Sequence, residues 1–220
     1  LLYFYCILKS SFYLLVANIP KERYYICPMK ILLVVATVSE IQQEKFSSND
    51  LLITGVGMLN TAIAITKKLS KEKYDLVINL GIAGSFKRSI KIGDVVEVVE
   101  ENISEIGYED KNEIIEFTDF SLKTVFRNHS HTDMKQVKSI TVNTVHGNEK
   151  SIENIVRRLN PDIENMEGAA VFKVCEEFNV PCIQVRAISN YVEKRNKEGW
   201  NIPLAIQNLN VELEKIISNL

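Results

Sequence analysis

MEGAAVFKVCEEFNVPCIQVRAISN, residues 166–190, is the stretch that decides the fold. Across residues 166–178, Glu167, Val171, Val174 and Phe178 recur at spacings of three and four, which predicts a helix with one face in the core. Residues 182–189 (CIQVRAIS) then form a run of strand length, rich in the residues a buried strand needs. Outward from this pair the alternation repeats. Strands are expected at 30–36 (KILLVVA), 51–54, 75–80 (DLVINL), 94–99 and 139–143, with helices at 60–69 and 150–159. Ile202, Ile206, Leu209, Leu213, Ile216 and Leu220 predict a long amphipathic helix that closes the domain. Strands alternating with helices imply a single-domain, three-layer α/β/α arrangement around a central sheet.

The chain has 220 residues, 46% hydrophobic, 25% charged and 8% aromatic, which excludes disorder, collagen and the mini-protein class. Lys+Arg total 26 against 28 for Asp+Glu, a net charge of -2 that provides no field for a polyanion, so nucleic acid is not an expected partner. The cysteines at 6, 27, 175 and 182 are scattered, without C-x-x-C spacing, and with three histidines they suggest no metal site. Residues 1–28 hold two apolar clusters split by Lys9, Ser10 and Ser11, and neither reaches the ~20 apolar residues of a membrane span. They carry no basic stretch before the first cluster and no clean small-x-small cleavage site. The expectation is that 1–28 is an upstream extension outside the fold, that Met29 starts a 29–220 domain, and that this domain is cytoplasmic, thiols reduced, with no membrane partner. The acidic tract within 100–135 (Glu100, Glu101, Glu105, Glu109, Asp110) is expected to be a solvated strand-loop excursion.

In α/β sheets ligands bind beyond the carboxyl ends of strands. The residues there are Glu40, TGVGMLNT (54–61), GIAGSF (81–86) and Asn190, joined by NMEG (165–168) at a helix start. Each also has a plain structural explanation. Gly55 and Gly57 suit a tight turn and lack the third Gly of a dinucleotide fingerprint. Glu167 suits a helix dipole, Glu40 a helix opening, and Asn190 a turn that ends a strand.

Taken in order, MKILLVVATVSE, TGVGMLNTA, VINLGIAGSF, IGDVV, NMEGAAVFKVCEEFNVPCIQVRAIS and WNIPLAIQNL resemble the nucleoside phosphorylase and nucleosidase family, most strongly its hydrolase branch, along nearly the whole chain from Met29. The resemblance implies a central mixed sheet, a small-molecule nucleoside substrate, hydrolysis of an N-glycosidic bond without metal or cofactor, and a homo-oligomer. Glu40 falls where the nucleosidases keep the carboxylate that activates water. Met166 and Glu167, with Asn165 beside them, match the ribose-binding rim, and a carboxylate there accepts from two vicinal hydroxyls. Ile82, Ala83 and Gly84 match the backbone that lies along the purine, and Val145 and His146 match positions flanking the base. Trp200 and Asn201 are expected near the wall of the site. Asn190 is a departure, because adenosine-type nucleosidases carry Asp after RAIS. A carboxamide donates to O6 and accepts from a protonated N7, which suits a 6-oxopurine. Related phosphorylases place Arg where this chain has Asn79, so water is the expected nucleophile, and Arg186 is read as a buried structural pairing residue. Adenosine-type hydrolysis, phosphorolysis and a catalytically silent nucleoside-binding module are the alternatives; keeping both Glu40 and Glu167 speaks against the last.

Overall fold

The computed structural model describes residues 29–111, 113–117 and 121–220, so the expected extension 1–28, with Cys6 and Cys27, lies outside the described residues. The strands are β1 (Ile31–Val35), β2 (Asp50–Ile53), β3 (Leu76–Ser85), β4 (Val95–Ile103), β5 (Tyr108–Asp110), β6 (Glu113–Ile115), β7 (Val125–Arg127), β8 (Lys135–Thr141), β9 (Ile163–Asn165) and β10 (Cys182–Tyr191). The helices are α1 (Met58–Leu69), α2 (Glu149–Leu159), α3 (Gly168–Phe178) and α4 (Ile202–Asn219). No helix among the described residues is long and apolar enough to cross a membrane.

The sheet is mixed. β1 lies between β2 and β3, parallel to both, and β3 runs parallel to β10. From β10 the pairing passes antiparallel to β4, parallel to β8, parallel to β9 and then antiparallel back to β3. β3, β10, β4, β8 and β9 therefore close into a ring, which the alternation of elements does not foretell. β5 and β6 form a separate hairpin, and β7 adds to β4.

The two faces divide the apolar residues by parity, as the period of a strand demands. In β1, Leu32 and Val34 face Ile65 of α1 and Val171 of α3. Ile31, Leu33 and Val35 face Leu209, Leu213 and Ile216 of α4. Both faces being covered is why these strands read as continuous apolar runs rather than alternating ones. α2 covers a smaller cluster of Ile140, Val142 and Ile155.

Three expectations are corrected. GIAGSF is not a loop after the third strand: β3 continues to Ser85 because Ala83 and Gly84 still pair with β10, and Gly84 and Ser85 pair with β9. The helix expected from Met166 begins at Gly168, so Glu167 stands at its cap and Met166 precedes it. The acidic tract is not wholly solvated: β4 runs on to Ile103, with Glu101 at 0% exposure.

Candidate active site

β1 ends at Val35, and the chain turns at once into a short 3-10 turn, Val38–Glu40. Thr37 holds that turn: its amide donates to Glu40 Oε2 at 2.8 Å and its hydroxyl to the same oxygen at 3.2 Å. Among the described residues, Glu40 Oε1 has only the long contact from the Ile82 amide, 3.4 Å. The Asn210 carboxamide on α4 clamps the turn from outside, donating to the Glu40 carbonyl at 3.1 Å and accepting from the Gln42 amide at 2.8 Å. One carboxylate oxygen thus fixes the side chain, and the other is nearly uncommitted.

Glu167 is placed by the TGVG turn. Gly57, at φ +94, is a conformation that L side chains rarely adopt. It brings its amide 3.0 Å from Glu167 Oε1. Burial raises the Glu167 pKa, with Arg186 and the Gly57 amide opposing it and Glu40 adding to it. Arg186, on β10, is 1% exposed. Burial lowers its pKa, opposed by Glu167, then Glu101, then Glu40, and the guanidinium stays a cation among three carboxylates. Its Nη2 donates to Asn165 Oδ1 at 3.4 Å, while its Nε makes no hydrogen bond among the described residues. Gly81 is small of necessity, since a Cβ there would lie 3.1 Å from Arg186 Nη1 and 3.2 Å from Glu40 Oε1.

The Asn190 end of the site is shaped by a bulge. In β10, Ile188 pairs with Ala83 but Asn190 pairs with Gly84, so Ser189 is an extra residue. Such a bulge changes which face the following side chains occupy, and here both Ser189 and Asn190 line the cavity. The Ser189 hydroxyl donates to Asn190 Oδ1 at 2.8 Å, and Asn190 Nδ2 donates to the Tyr191 carbonyl at 3.0 Å. Each amide atom keeps one further hydrogen-bonding position. A Cβ on Gly84 would lie 2.9 Å from Val192 Cγ2 and 3.2 Å from Asn190 Nδ2.

These residues surround one cavity of about 310 Å³. Glu40, Ile82, Ala83, Gly84, Val145, Asn165, Met166, Glu167, Asn190 and Trp200 all line it. His146 does not: it stands behind Glu164, with its amide 3.0 Å from Oε1 and its Nδ1 2.6 Å from Oε2, and it lines a neighbouring cavity instead. Asn201 is spent capping α4, where its side chain accepts from the Leu204 amide. Asn165 reaches the cavity, but its carboxamide accepts from the Glu167 and Gly168 amides and donates to Glu101, so it supports the site from behind. Sequence reasoning missed Ser189, Thr37 and Glu164. Only Ser189, beside Asn190, offered a signal, whereas Glu164 is a single acid before an Asn with nothing in its spacing to mark it.

Gly168 opens α3 directly over Glu101: a Cβ there would fall 2.3 Å from Glu101 Oε2 and 2.5 Å from Gln184 Nε2. Gly168→Ala is expected to lose about 1–3 kcal/mol of stability, the range for overpacking a closed interior. Chemical denaturation of the two proteins measures it, and an unchanged midpoint refutes the close packing.

Comparison with known proteins places the same span of chain. The phosphorylase superfamily pattern matches residues 51–218. The 5′-methylthioadenosine/S-adenosylhomocysteine nucleosidase of Psychromonas ingrahamii is 26% identical, covering 82% of this chain and 86% of its own. The enzyme of that name from a Geobacillus species is 30% identical over 68% of this chain and 71% of its own. Among solved structures, the native futalosine hydrolase of Helicobacter pylori superposes with a TM-score of 0.76 at 18% identity, covering 88% of this chain and 99% of its own.

Proposed function

Since the chain belongs to the phosphorylase superfamily, we propose from its site that it is a purine nucleosidase that cleaves the N-glycosidic bond of futalosine with water, giving hypoxanthine and dehypoxanthine futalosine on the route to menaquinone. The charge of the cavity carries the choice of water over phosphate. Glu40, Glu164 and Glu167 line it, and no Lys or Arg among the described residues does so. A phosphate dianion needs cationic forks, and the Arg that phosphorylases bring to the third strand is replaced by Asn79, buried and donating to Gln184 Oε1.

In this reading Glu40 takes the proton of the attacking water through its nearly free Oε1, while Thr37 keeps the carboxylate aimed. Glu167 accepts from the ribose hydroxyls and places negative charge beneath the developing ribosyl cation. Met166 packs on the sugar, and the backbone of Ile82, Ala83 and Gly84 runs along the purine. Asn190 stabilises the departing base, with its NH2 donating to O6 and its carbonyl accepting from a protonated N7. The curated relatives favour a different substrate, 5′-methylthioadenosine or S-adenosylhomocysteine, and that is the second reading. Asn190 is what favours the 6-oxopurine.

The test is chromatographic detection of free base from futalosine, inosine and methylthioadenosine, each with and without phosphate. Hypoxanthine from futalosine irrespective of phosphate is the expected result. Adenine from methylthioadenosine in its place moves the assignment to the second reading. Asn190→Asp is expected to lower kcat/KM on futalosine on the order of tenfold, equal to about 1.4 kcal/mol. Unchanged turnover removes Asn190 from base recognition.

A further inference from the structure

Behind the cavity lies a layer of buried polar side chains whose hydrogen-bond directions are dictated by the backbone. The amides of Glu167, Gly168 and Ala169 can only donate, so the atoms that receive them must be acceptors. Those atoms are Asn165 Oδ1, 2.9 Å from Glu167 N and 2.6 Å from Gly168 N, and Thr141 Oγ1, 2.8 Å from Ala169 N. The Asn165 carboxamide therefore presents its NH2 to Glu101 Oε2 at 3.0 Å, and the Thr141 hydroxyl has its one hydrogen left for Glu101 Oε1 at 2.9 Å. Gln184 Nε2 is a third donor to Glu101, at 2.6 Å, and its own Oε1 accepts from Asn79. Three side-chain donors thus meet on one carboxylate, 0% exposed, while the Asn165 NH2 also donates to Ser139 Oγ at 2.8 Å.

We propose that Glu101 is a positioning residue for this site: as a buried carboxylate it receives the donors that the backbone leaves to Asn165 and Thr141, and so holds the start of α3, with Glu167, and the Arg186 guanidinium in place. An amide at position 101 has one NH2 that cannot receive these donors. With its oxygen toward Asn165 and Gln184 that amide sets its NH2 against the Thr141 hydroxyl, and with its oxygen toward Thr141 it sets the NH2 against both side-chain amides, so in either orientation a group that supports the start of α3 loses its acceptor. Charge acts through the same group. Arg186 is the charged group facing Glu101, and it also acts on Glu167 and Glu40. α3 opens against Glu101 with Gly168, Ala169 and Ala170, which carry no titratable group, and Glu100 on the same strand pairs outward with Arg127 and Lys138. β8 offers Ser139 and Thr141, and β10 adds only Gln184 and Arg186 on this side.

The kinetic part of this inference rests on the nucleosidase reading, so the test has one arm with substrate and one without. Without substrate, amide hydrogen exchange is followed in wild type, Glu101→Gln and Glu101→Asp. In Glu101→Gln the Gly168 and Ala169 amides are expected to exchange at least tenfold faster, with β1 amides unchanged. With substrate, kcat/KM is expected to fall at least tenfold in Glu101→Gln. Its acid limb should shift to lower pH, because loss of one negative charge leaves Arg186 freer to favour ionised carboxylates. Glu101→Asp keeps the charge, so its acid limb should stay at the wild-type position although its rate falls. Unchanged exchange at the start of α3, or an acid limb that moves equally in both variants, overturns the proposal. If Glu101→Gln does not fold, faster exchange of those two amides in Glu101→Asp supports the proposal and wild-type exchange overturns it. If wild type releases no base from any nucleoside while the exchange result is as expected, the proposed function fails and the positioning role stands.

Discussion

Glu40→Gln should leave a folded protein that binds nucleoside with near wild-type affinity and turns it over about a thousandfold more slowly, within the 10²–10⁴ contribution of a positioned general base. The fold survives because a Gln carbonyl still accepts from the Thr37 amide, the contact that holds the 3-10 turn at 2.8 Å. Chemistry is lost because the group near Ile82 no longer takes a proton. Steady-state base release together with calorimetric binding of the substrate separates the two quantities, and a variant retaining a tenth of wild-type kcat removes Glu40 from the mechanism. The plain structural role of Glu40 is the observed one: its carboxylate caps its own turn, and that capping aims its other oxygen.

The second large effect is on stability. Arg186→Met removes the buried cation whose charge acts on Glu167, Glu101 and Glu40 without a direct ion pair among the described residues, so the loss is expected to reach about 3 kcal/mol, the lower end of what breaking a direct buried pair costs. Its pH dependence has a definite sign. Burial already raises the pKa of Glu101 and of Glu167, so each binds its proton more tightly in the folded chain than in the unfolded one. Acidification therefore favours the folded state over the window from the raised folded values down to the ordinary Glu range, about 4.3. Without Arg186 both rise further. The stability deficit of the variant relative to wild type should be largest above neutrality and should shrink as pH falls toward 5. Urea unfolding at a series of pH values measures it, and a deficit that grows on acidification contradicts the arrangement.

The layers and the alternation of strands with helices were legible in the sequence because both faces of the sheet are covered, which leaves unbroken apolar runs such as ILLVV in β1. The cavity was legible too, since it gathers residues at the last positions of strands or just past them. What sequence reading lacked was parity. In β4, Val98 pairs with Val137 and Glu100 with Lys138, so Val99 is an extra residue and the side-chain alternation slips by one. That slip turns Glu101, not Glu100, toward α3, and it is why a run of acids read as solvated contains the most buried carboxylate of the site. A second slip at Ser189 brings Asn190 into the cavity. Bulges depend on the partner strand, which lies far away in sequence. The same holds for His146, whose amide and ring are both taken by Glu164 on a different strand.

The ring of strands also dictates an order of birth. β3 cannot complete its hydrogen bonding until β10 arrives, and β10 supplies Arg186, Ser189 and Asn190 as well as the missing pairs. At elongation rates of about 5–20 residues/s, the stretch separating these strands takes on the order of ten seconds to synthesise. Through that interval Glu40, joined by Glu101 and near its end by Glu167, exists without the guanidinium that acts on all three, in a chain whose apolar β3 has an open edge. The site is therefore assembled late and all at once, and a nascent chain stalled before β10 should be protease-sensitive and bind no nucleoside.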